Sequence, residues 1–132
     1  MYLTRGELDK AEEMYRKSLE ISEALGLKET SARQYGNLGN VYDTRGELDR
    51  AEEMHRKALE LDKALGSKEG MAADYGNLGT VYGERGDLDK AEELWKKSLG
   101  LYQEMGAGQH YGAKIVQQNL DKLTKQRSAA AQ

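Results

Sequence analysis

This 132-residue chain contains neither cysteine nor proline. Without cysteine, the chain can form no disulfide framework and no cysteine-ligated zinc site. The chain also lacks a large excess of either charge. A third of the residues are charged, but the formal net charge is only −3. Basic and acidic residues are interspersed, so the chain lacks the basic surface that nucleic-acid binding requires.

Long hydrophobic runs are absent as well. No stretch approaches the roughly 20 apolar residues of a membrane-spanning helix, and no signal peptide is visible. The opening residues, MYLTRGELDK, already belong to the repeat described next. These features predict a cytoplasmic chain without a membrane partner, or a piece cut from a longer chain.

The sequence repeats itself with a period of 40 residues. Residues 2–41 match residues 42–81 at 27 of 40 positions, and the pattern continues from Tyr82. Each repeat contains two segments whose apolar residues recur at spacings of three and four, which indicates amphipathic helices. We predict helices near 7–25, 29–44, 48–65, 69–84, 88–105 and 109–126. Gly26, Gly66 and Gly106 are expected to end helices in the left-handed conformation; Arg5-Gly6-Glu7, Arg45-Gly46-Glu47 and Arg85-Gly86-Asp87 are expected to form turns.

The segments YGNLGNVY (35–42) and YGNLGTVY (75–82) each carry two glycines inside a predicted helix. A phosphate-binding loop needs free N–H groups at a helix start, whereas here the helix uses them. Glycine costs about 1 kcal/mol against alanine within a helix, so a packing reason is expected. Gly39 and Gly79 should allow a close approach of the partner helix, while Gly36 and Gly76 should leave open space on another face.

The remaining polar and aromatic residues predict packing rather than chemistry. His55 occupies the position of Tyr15 and Trp95 in the sister repeats, so a buried packing role is expected, and His110 should be exposed at the start of the last helix. We find no metal-ligand spacing and no catalytic constellation, and therefore predict no enzyme, no cofactor and no metal site. Core positions are expected at Tyr35, Tyr42, Tyr75, Tyr82, Met14, Met54 and Leu94. Six pairs with glutamate four residues before a base, such as Glu52–Arg56, predict a solvated outer face.

Tyr35, Leu38, Gly39 and Tyr42, followed by Ala51, His55 and Ala58, resemble the tetratricopeptide-repeat signature. The resemblance covers residues 2–106 and continues weakly to about 126. Its 40-residue period, longer than the common 34, is similar to that of kinesin light chain, Pins-type adaptors and bacterial regulators of this family. It implies an all-α fold, a right-handed superhelical solenoid of antiparallel helix hairpins that presents grooves and rarely performs chemistry.

The resemblance also implies which residues line a peptide-binding groove. They lie beside the signature residues on the first helix of each hairpin: Arg33, Gly36, Asn37, Asn40, Asp43 and Thr44, then Ala73, Gly76, Asn77, Thr80, Gly83 and Glu84. The side chains of Asn37 and Asn77 offer both a donor and an acceptor, which suits a peptide backbone. The alternative, that these asparagines are merely exposed helix positions, remains open. The lysine and arginine set that holds a C-terminal carboxylate in some members is not present.

We therefore expect one array: a truncated repeat at about 2–28, repeats at 29–68 and 69–108, a capping helix at about 109–126 and a disordered tail at 127–132. The expected function is a protein-interaction scaffold that binds an extended peptide; the alternative is a structural or self-assembling repeat without a ligand. Tyr2 is equivalent to Tyr42 and Tyr82, so most of the first hairpin's first helix precedes the sequence. We expect homo-oligomers formed through the resulting uncovered face, which would include Leu8, Ala11, Tyr15 and Leu19.

Overall fold

The structure is a computed structural model that describes residues 4–131. Six α-helices occupy these residues, and no strand is found among them: α1 Arg5–Ala24, α2 Lys28–Thr44, α3 Leu48–Leu65, α4 Lys68–Glu84, α5 Leu88–Glu104 and α6 Tyr111–Ala130. The all-α prediction of consecutive helical hairpins is confirmed. The helices form two compact units, unit 1 up to Gly66 and unit 2 from Ser67. Tyr2, on which the truncated first repeat was inferred, lies outside the described residues.

Two helix ends differ from the prediction. Gly6 does not form a turn, because the side chain of Thr4 accepts the Glu7 N–H and the Glu7 carboxylate accepts the Thr4 N–H. This capping box starts α1 at Arg5 and places Gly6 inside the helix. At the other end, α6 continues to Ala130 instead of stopping near 126. Residues 127–130, predicted as part of a disordered tail, are therefore helical.

The predicted left-handed glycines are confirmed. Gly26, Gly66 and Gly106 all have positive φ angles, as do Gly46 and Gly86 in the turns within the hairpins. At Gly66, with φ of 66°, the N–H bonds back to the Lys63 carbonyl. Only glycine adopts this conformation without a steric penalty from Cβ. These glycines fix where the helices end.

Unit 1 consists of the hairpin α2–α3 with α1 packed against α2. The centre of the hairpin is fully buried at Leu38, Ala51 and Ala58, and the predicted packing role of His55 is confirmed because its side chain is only 1% exposed. The predicted packing role of Gly39 is confirmed too. A Cβ atom on Gly39 would lie 2.5 Å from His55 Cε1, so the imidazole ring lies directly against the backbone of α2.

Unit 2 consists of the hairpin α4–α5 with α6 packed mainly against α5. Trp95 of α5 lies in one apolar cluster with Ala91 and with Val116 and Leu123 of α6. A Cβ atom on Gly79 would lie 2.5 Å from Trp95 Cδ1. The glycine pair thus serves helix packing in this unit as well, since the indole ring takes the space that a side chain would need.

Met14, Met54 and Leu94 occupy the same place in the repeat but differ in how deeply they are buried. Leu94 is buried and Met54 is half-buried, but Met14 is 69% exposed, so its assignment to the core was wrong. The tyrosines also differ, since Tyr42 is buried while Tyr35, Tyr75 and Tyr82 are half-buried. Burial at one position of the repeat therefore depends on which helices lie beside it.

Candidate peptide-binding surface

The surface that could receive a peptide in unit 2 lies between α4 and α6. A cleft of about 230 Å³ opens there, with Trp95 and Leu123 among its lining residues and Glu84 and Lys122 supplying charges of opposite sign. The remaining lining residues are Thr80, Gly83, Leu88, Asn119 and Gln126. An apolar cavity of about 150 Å³ can hold a benzene molecule, so this cleft has room for one large apolar side chain.

A second cleft of about 130 Å³ adjoins the first, because Thr80 and Asn119 line both. Asn77 lines this second cleft with Ala73 on α4, and Ile115 and Val116 contribute from α6. The two clefts together form what we call the α4–α6 strip. The strip combines apolar side chains with the amide groups of Asn77 and Asn119, which can donate and accept hydrogen bonds.

All six α4 residues that the sequence nominated are brought together in this strip: Ala73, Gly76, Asn77, Thr80, Gly83 and Glu84. Gly76, however, does not leave open space. A Cβ atom there would lie 3.3 Å from Ser98 Oγ and from Val116 Cγ2, so α5 and α6 already cover this glycine. The prediction of open room at Gly76 was wrong, although the glycine still lines one edge of the second cleft.

In unit 1 the nominated residues follow α2. Arg33, Asn40 and Thr44 are exposed, while the side chains of Asn37 and Asp43 are half-buried. Gly36 has open space where its Cβ would lie, as predicted. The Asn37 amide donates to Gln34 Oε1 at 3.3 Å, and the Thr44 hydroxyl donates to the Asn40 carbonyl at 2.9 Å. Whether any of these residues binds a peptide remains a prediction.

Sequence reasoning missed the contribution of α6, which it treated only as a cap. Ile115, Asn119, Lys122 and Gln126 all line the strip, at spacings of four, three and four residues. Such spacings place them on one side of a helix. The regular spacing was visible in the sequence, but which neighbour this side faces was not.

The interior of unit 1 contains one polar pair without an equivalent in unit 2. The Nδ1 atom of His55 and the Oδ1 atom of Asp43 are both buried without a hydrogen-bond partner. Burial lowers the pKa of His55 to about 4, and the opposing attraction of the Asp43 carboxylate only partly offsets this. His55 is therefore neutral at pH 7. Unit 2 has Trp95 and Gly83 at the two equivalent positions.

The residues expected to self-associate do not form an exposed face. Leu8 and Leu19 are buried within unit 1, and Ala11 and Tyr15 are half-buried. Among the described residues α1 packs against α2, which accounts for the burial of the two leucines. The exposed apolar side chains of α1 are Met14 and Ile21, followed by Leu25 at its C-cap.

Between residues 4 and 131 no group of three or more histidine, aspartate or glutamate side chains is placed to hold a metal ion. No helix in that same range is both long enough and apolar enough to cross a membrane.

Consecutive antiparallel hairpins with a shared residue pattern define this chain as a helical-repeat protein. Two family models, both described as Tetratricopeptide repeat, match residues 1–64 and 75–105. The chain belongs to the tetratricopeptide-repeat family. Repeats of this family generally mediate protein–protein interaction, and their helical fold typically serves as a non-enzymatic scaffold.

Comparison with solved structures agrees with this fold. The crystal structure of BtubC (BKLC) from P. vanneervenii is similar with a TM-score of 0.81 and 25% sequence identity, over 92% of this chain and 50% of that one. The chain thus spans half the length of BtubC. The crystal structure of MamA gives a TM-score of 0.45 at 20% identity over 99% of both chains, which is too weak to support a conclusion. No curated protein matches the chain in sequence.

Proposed function

We propose that this chain is a protein-interaction scaffold that binds an extended segment of a partner protein along the α4–α6 strip. The observation that supports the proposal most is the arrangement of Asn77, Thr80 and Asn119 beside apolar clefts. Amide and hydroxyl groups can bond a peptide backbone whatever its sequence. The apolar clefts next to them would then select particular side chains.

The larger cleft suggests what the bound segment contains. A bulky apolar side chain would cover Trp95 and Leu123, and the flanking residues would lie near Glu84 on one side and Lys122 on the other. Apolar contact would supply most of the affinity, because exposed charge pairs contribute little. The two charges would instead favour one direction of the segment.

A peptide library displayed on phage provides the test. We expect selection against the chain to yield peptides that share an aromatic or large aliphatic residue. Isothermal titration calorimetry should then show that Asn77→Ala and Asn119→Ala each weaken binding of a selected peptide by roughly tenfold. Gln118→Ala, at an exposed α6 position outside the strip, is the matched control and should leave the affinity unchanged.

Two results would contradict the proposal. The first is equal binding of the selected peptides to the chain and to an Asn77→Ala/Asn119→Ala double variant that unfolds at the same temperature. The second is repeated selection without a shared motif, which would favour the structural repeat without a ligand. The same titrations with Asn37→Ala test whether unit 1 contributes to peptide binding.

A further inference from the structure

The two clefts of the α4–α6 strip lie one after the other along the same pair of helices. On α4 the larger cleft is lined within residues 80–84 and the smaller cleft within 72–80. On α6 the larger cleft is lined within 119–126 and the smaller cleft within 112–119. On both helices the centres of the two clefts are therefore about two turns apart, which is roughly 10 Å.

The two clefts differ in the side chain that each can hold. The larger one, of about 230 Å³, lies beside Trp95 and Leu123 and has room for a leucine or an aromatic ring. The smaller one, of about 130 Å³, lies beside Tyr102 and Ile115. A cavity that holds benzene measures about 150 Å³, so the smaller cleft suits proline or valine better than an aromatic ring. A ligand that fills both clefts therefore carries two apolar residues of unequal size.

The distance between the clefts restricts the backbone conformation of this ligand. In polyproline II, with three residues per turn and a rise of about 3.1 Å, residues i and i+3 lie on the same side and about 9 Å apart. In a β-strand the residues on one side are about 7 Å apart at i and i+2, and about 13 Å apart at i and i+4. Only the polyproline II spacing matches the separation of the clefts among these extended conformations.

The polar groups of the strip favour polyproline II over a helix. A helix places residues i and i+7 about 10 Å apart on one face, but its backbone N–H and C=O groups bond each other. The backbone of polyproline II has no internal hydrogen bonds, so it can use the side-chain amides of Asn77 and Asn119 as partners. The Thr80 hydroxyl already donates to the Gly76 carbonyl at 3.2 Å, so it offers such a backbone an acceptor.

The charges at the larger cleft agree with the same conformation. Glu84 lines this cleft from α4 and Lys122 lines it from α6. In polyproline II the two neighbours of a residue point about 120° to either side of it, so one approaches each helix. In a β-strand both neighbours point away from the cleft together. A basic residue on one side of the large apolar residue and an acidic residue on the other would complement Glu84 and Lys122.

We propose that the ligand of the α4–α6 strip is a polyproline II segment of a partner protein in which a proline or valine and a leucine or aromatic residue are three positions apart. The smaller residue fills the cleft beside Tyr102, and the larger one fills the cleft beside Trp95. An acidic and a basic residue flank the larger one. This inference rests on the proposed function, because it specifies the ligand of the same strip.

The test uses labelled ten-residue peptides that each contain one proline and one leucine in a serine-alanine background. The two residues are two, three, four or seven positions apart, in both orders, with glutamate and lysine on either side of the leucine. Fluorescence anisotropy should show that a peptide with the spacing of three binds at least about tenfold more tightly than the others. A second proline between the two residues should leave this binding intact, although it would break a helix.

A change in the smaller cleft tests which residue occupies it. Ile115 is 38% exposed and lines only this cleft, so Ile115→Ala should enlarge the cleft without unfolding the chain. Replacement of the proline by leucine in the peptide should weaken binding to the unmodified chain, whereas Ile115→Ala should bind the leucine peptide at least about tenfold better than the unmodified chain does. Gln118→Ala is the matched control and should keep the original preference.

The single tryptophan of the chain reports on the larger cleft. Because Trp95 lines this cleft, the peptide with the spacing of three should change its fluorescence emission on binding. The same peptide with alanine in place of leucine should produce no such change at equal concentration. An emission change that does not depend on the leucine would contradict the assignment of the larger residue to this cleft.

The outcomes separate this inference from the proposed function. Tightest binding at a spacing of two or four indicates a β-strand, and at seven a helix. Either result overturns the polyproline II ligand alone, provided that the Asn77→Ala/Asn119→Ala double variant still weakens binding. An unchanged preference in Ile115→Ala overturns it as well. Binding of no peptide, or binding that the double variant does not weaken, overturns both the inference and the proposed function.

Discussion

Arg45, just after the C-terminus of α2, reaches Glu12 on α1, with 2.7 Å between Nη1 and Oε1. The Tyr42 hydroxyl donates to the other oxygen of the same carboxylate, also at 2.7 Å. Unit 2 repeats this arrangement at its own last helix, where Arg127 Nη1 lies 2.9 Å from Glu92 Oε2. One arginine–glutamate pair thus connects α1 to α2 and another connects α5 to α6. The second pair involves a residue of the predicted disordered tail.

The contacts of Glu12 predict that the stability of the fold changes with pH in the acidic range. The hydrogen bonds from Tyr42 and then Arg45 lower the pKa of Glu12 to about 2 from its usual value of 4.5. A lowered carboxyl pKa stabilises the folded state above pH 4.5, and this contribution is lost as the pH falls from 4.5 toward 2. Glu12→Gln should therefore lower the melting temperature at pH 6 by more than at pH 2.5.

Thermal unfolding followed by circular dichroism at the two pH values provides the measurement. Glu13→Gln is the matched control, since Glu13 makes an exposed pair with Lys17. A Glu12→Gln effect of the same size at pH 6 and at pH 2.5 would contradict the assigned role of this carboxylate.

His55 predicts a second pH range, above that of Glu12, in which the stability of the fold changes with pH. Burial lowers its pKa to about 4 from 6.5, so protons bind more readily to His55 in the unfolded chain. The folded state is therefore favoured fully above pH 6.5, and this contribution is lost as the pH falls from 6.5 toward 4. His55→Phe should remove this part of the pH dependence, because phenylalanine does not titrate.

Urea unfolding at pH 7 and at pH 5 measures the effect as a change in unfolding free energy. The chain should lose more stability between these two values than His55→Phe does. Gln118→Ala, at an exposed position of α6, serves as the control and should behave like the unmodified chain. An unaltered slope in His55→Phe would count against neutral burial of the imidazole.

Positions 43 and 55 should be coupled energetically. In unit 2, a Cβ atom on Gly83 would lie 3.2 Å from Trp95 Cη2, so the indole ring needs a glycine there. His55→Trp alone should therefore force a larger ring against Asp43 and destabilise the chain by about 1–3 kcal/mol. His55→Trp combined with Asp43→Gly should recover much of that loss.

The measurement is a double-mutant cycle in urea with both single variants. Asp43→Gly alone gives the cost of a third glycine in α2, about 1 kcal/mol. Asp43→Gly also removes a buried carboxylate oxygen that has no hydrogen-bond partner, and this change should raise the stability. Additive free energies would show that the two side chains do not share space.

The two glycines of α2 should respond oppositely to the same substitution. A Cβ atom at Gly36 meets nothing within 4 Å, whereas one at Gly39 meets the His55 ring at 2.5 Å. Gly36→Ala should stabilise the chain by up to about 1 kcal/mol, because alanine is the better helix former. Gly39→Ala should destabilise it, since the ring must move. Equal signs for the two changes in chemical unfolding would refute the placement of His55 on Gly39.

Much of the fold could be predicted from local patterns. The 40-residue period and the glycine at the end of each long helix indicated hairpins, and the structure places helices close to the predicted ranges. The six glutamate–base pairs, including Glu52–Arg56 and Glu93–Lys97, are all formed. These features depend on residues three or four positions apart on one helix, so the sequence alone contains the necessary information.

Only the α4 residues of the α4–α6 strip could be predicted from the sequence. Asn77 and Thr80 were nominated from the position of the family signature, which is a property of α4 alone. Asn119 and Lys122 were missed, because their relevance depends on α6 lying beside α4. Gly76 was wrongly predicted to be open for the same reason, since Ser98 and Val116 approach it from two other helices.

The sequence by itself determined most of the helix ends and which side of each helix is apolar, because backbone hydrogen bonds and helix periodicity are local. Only the tertiary structure decided which apolar positions are buried. Met14 and Leu94 occupy the same place in the repeat, yet one is exposed and the other is in the core. Burial depends on contact with a helix that is distant in sequence, and for α1 no such helix covers the Met14 side within the described residues.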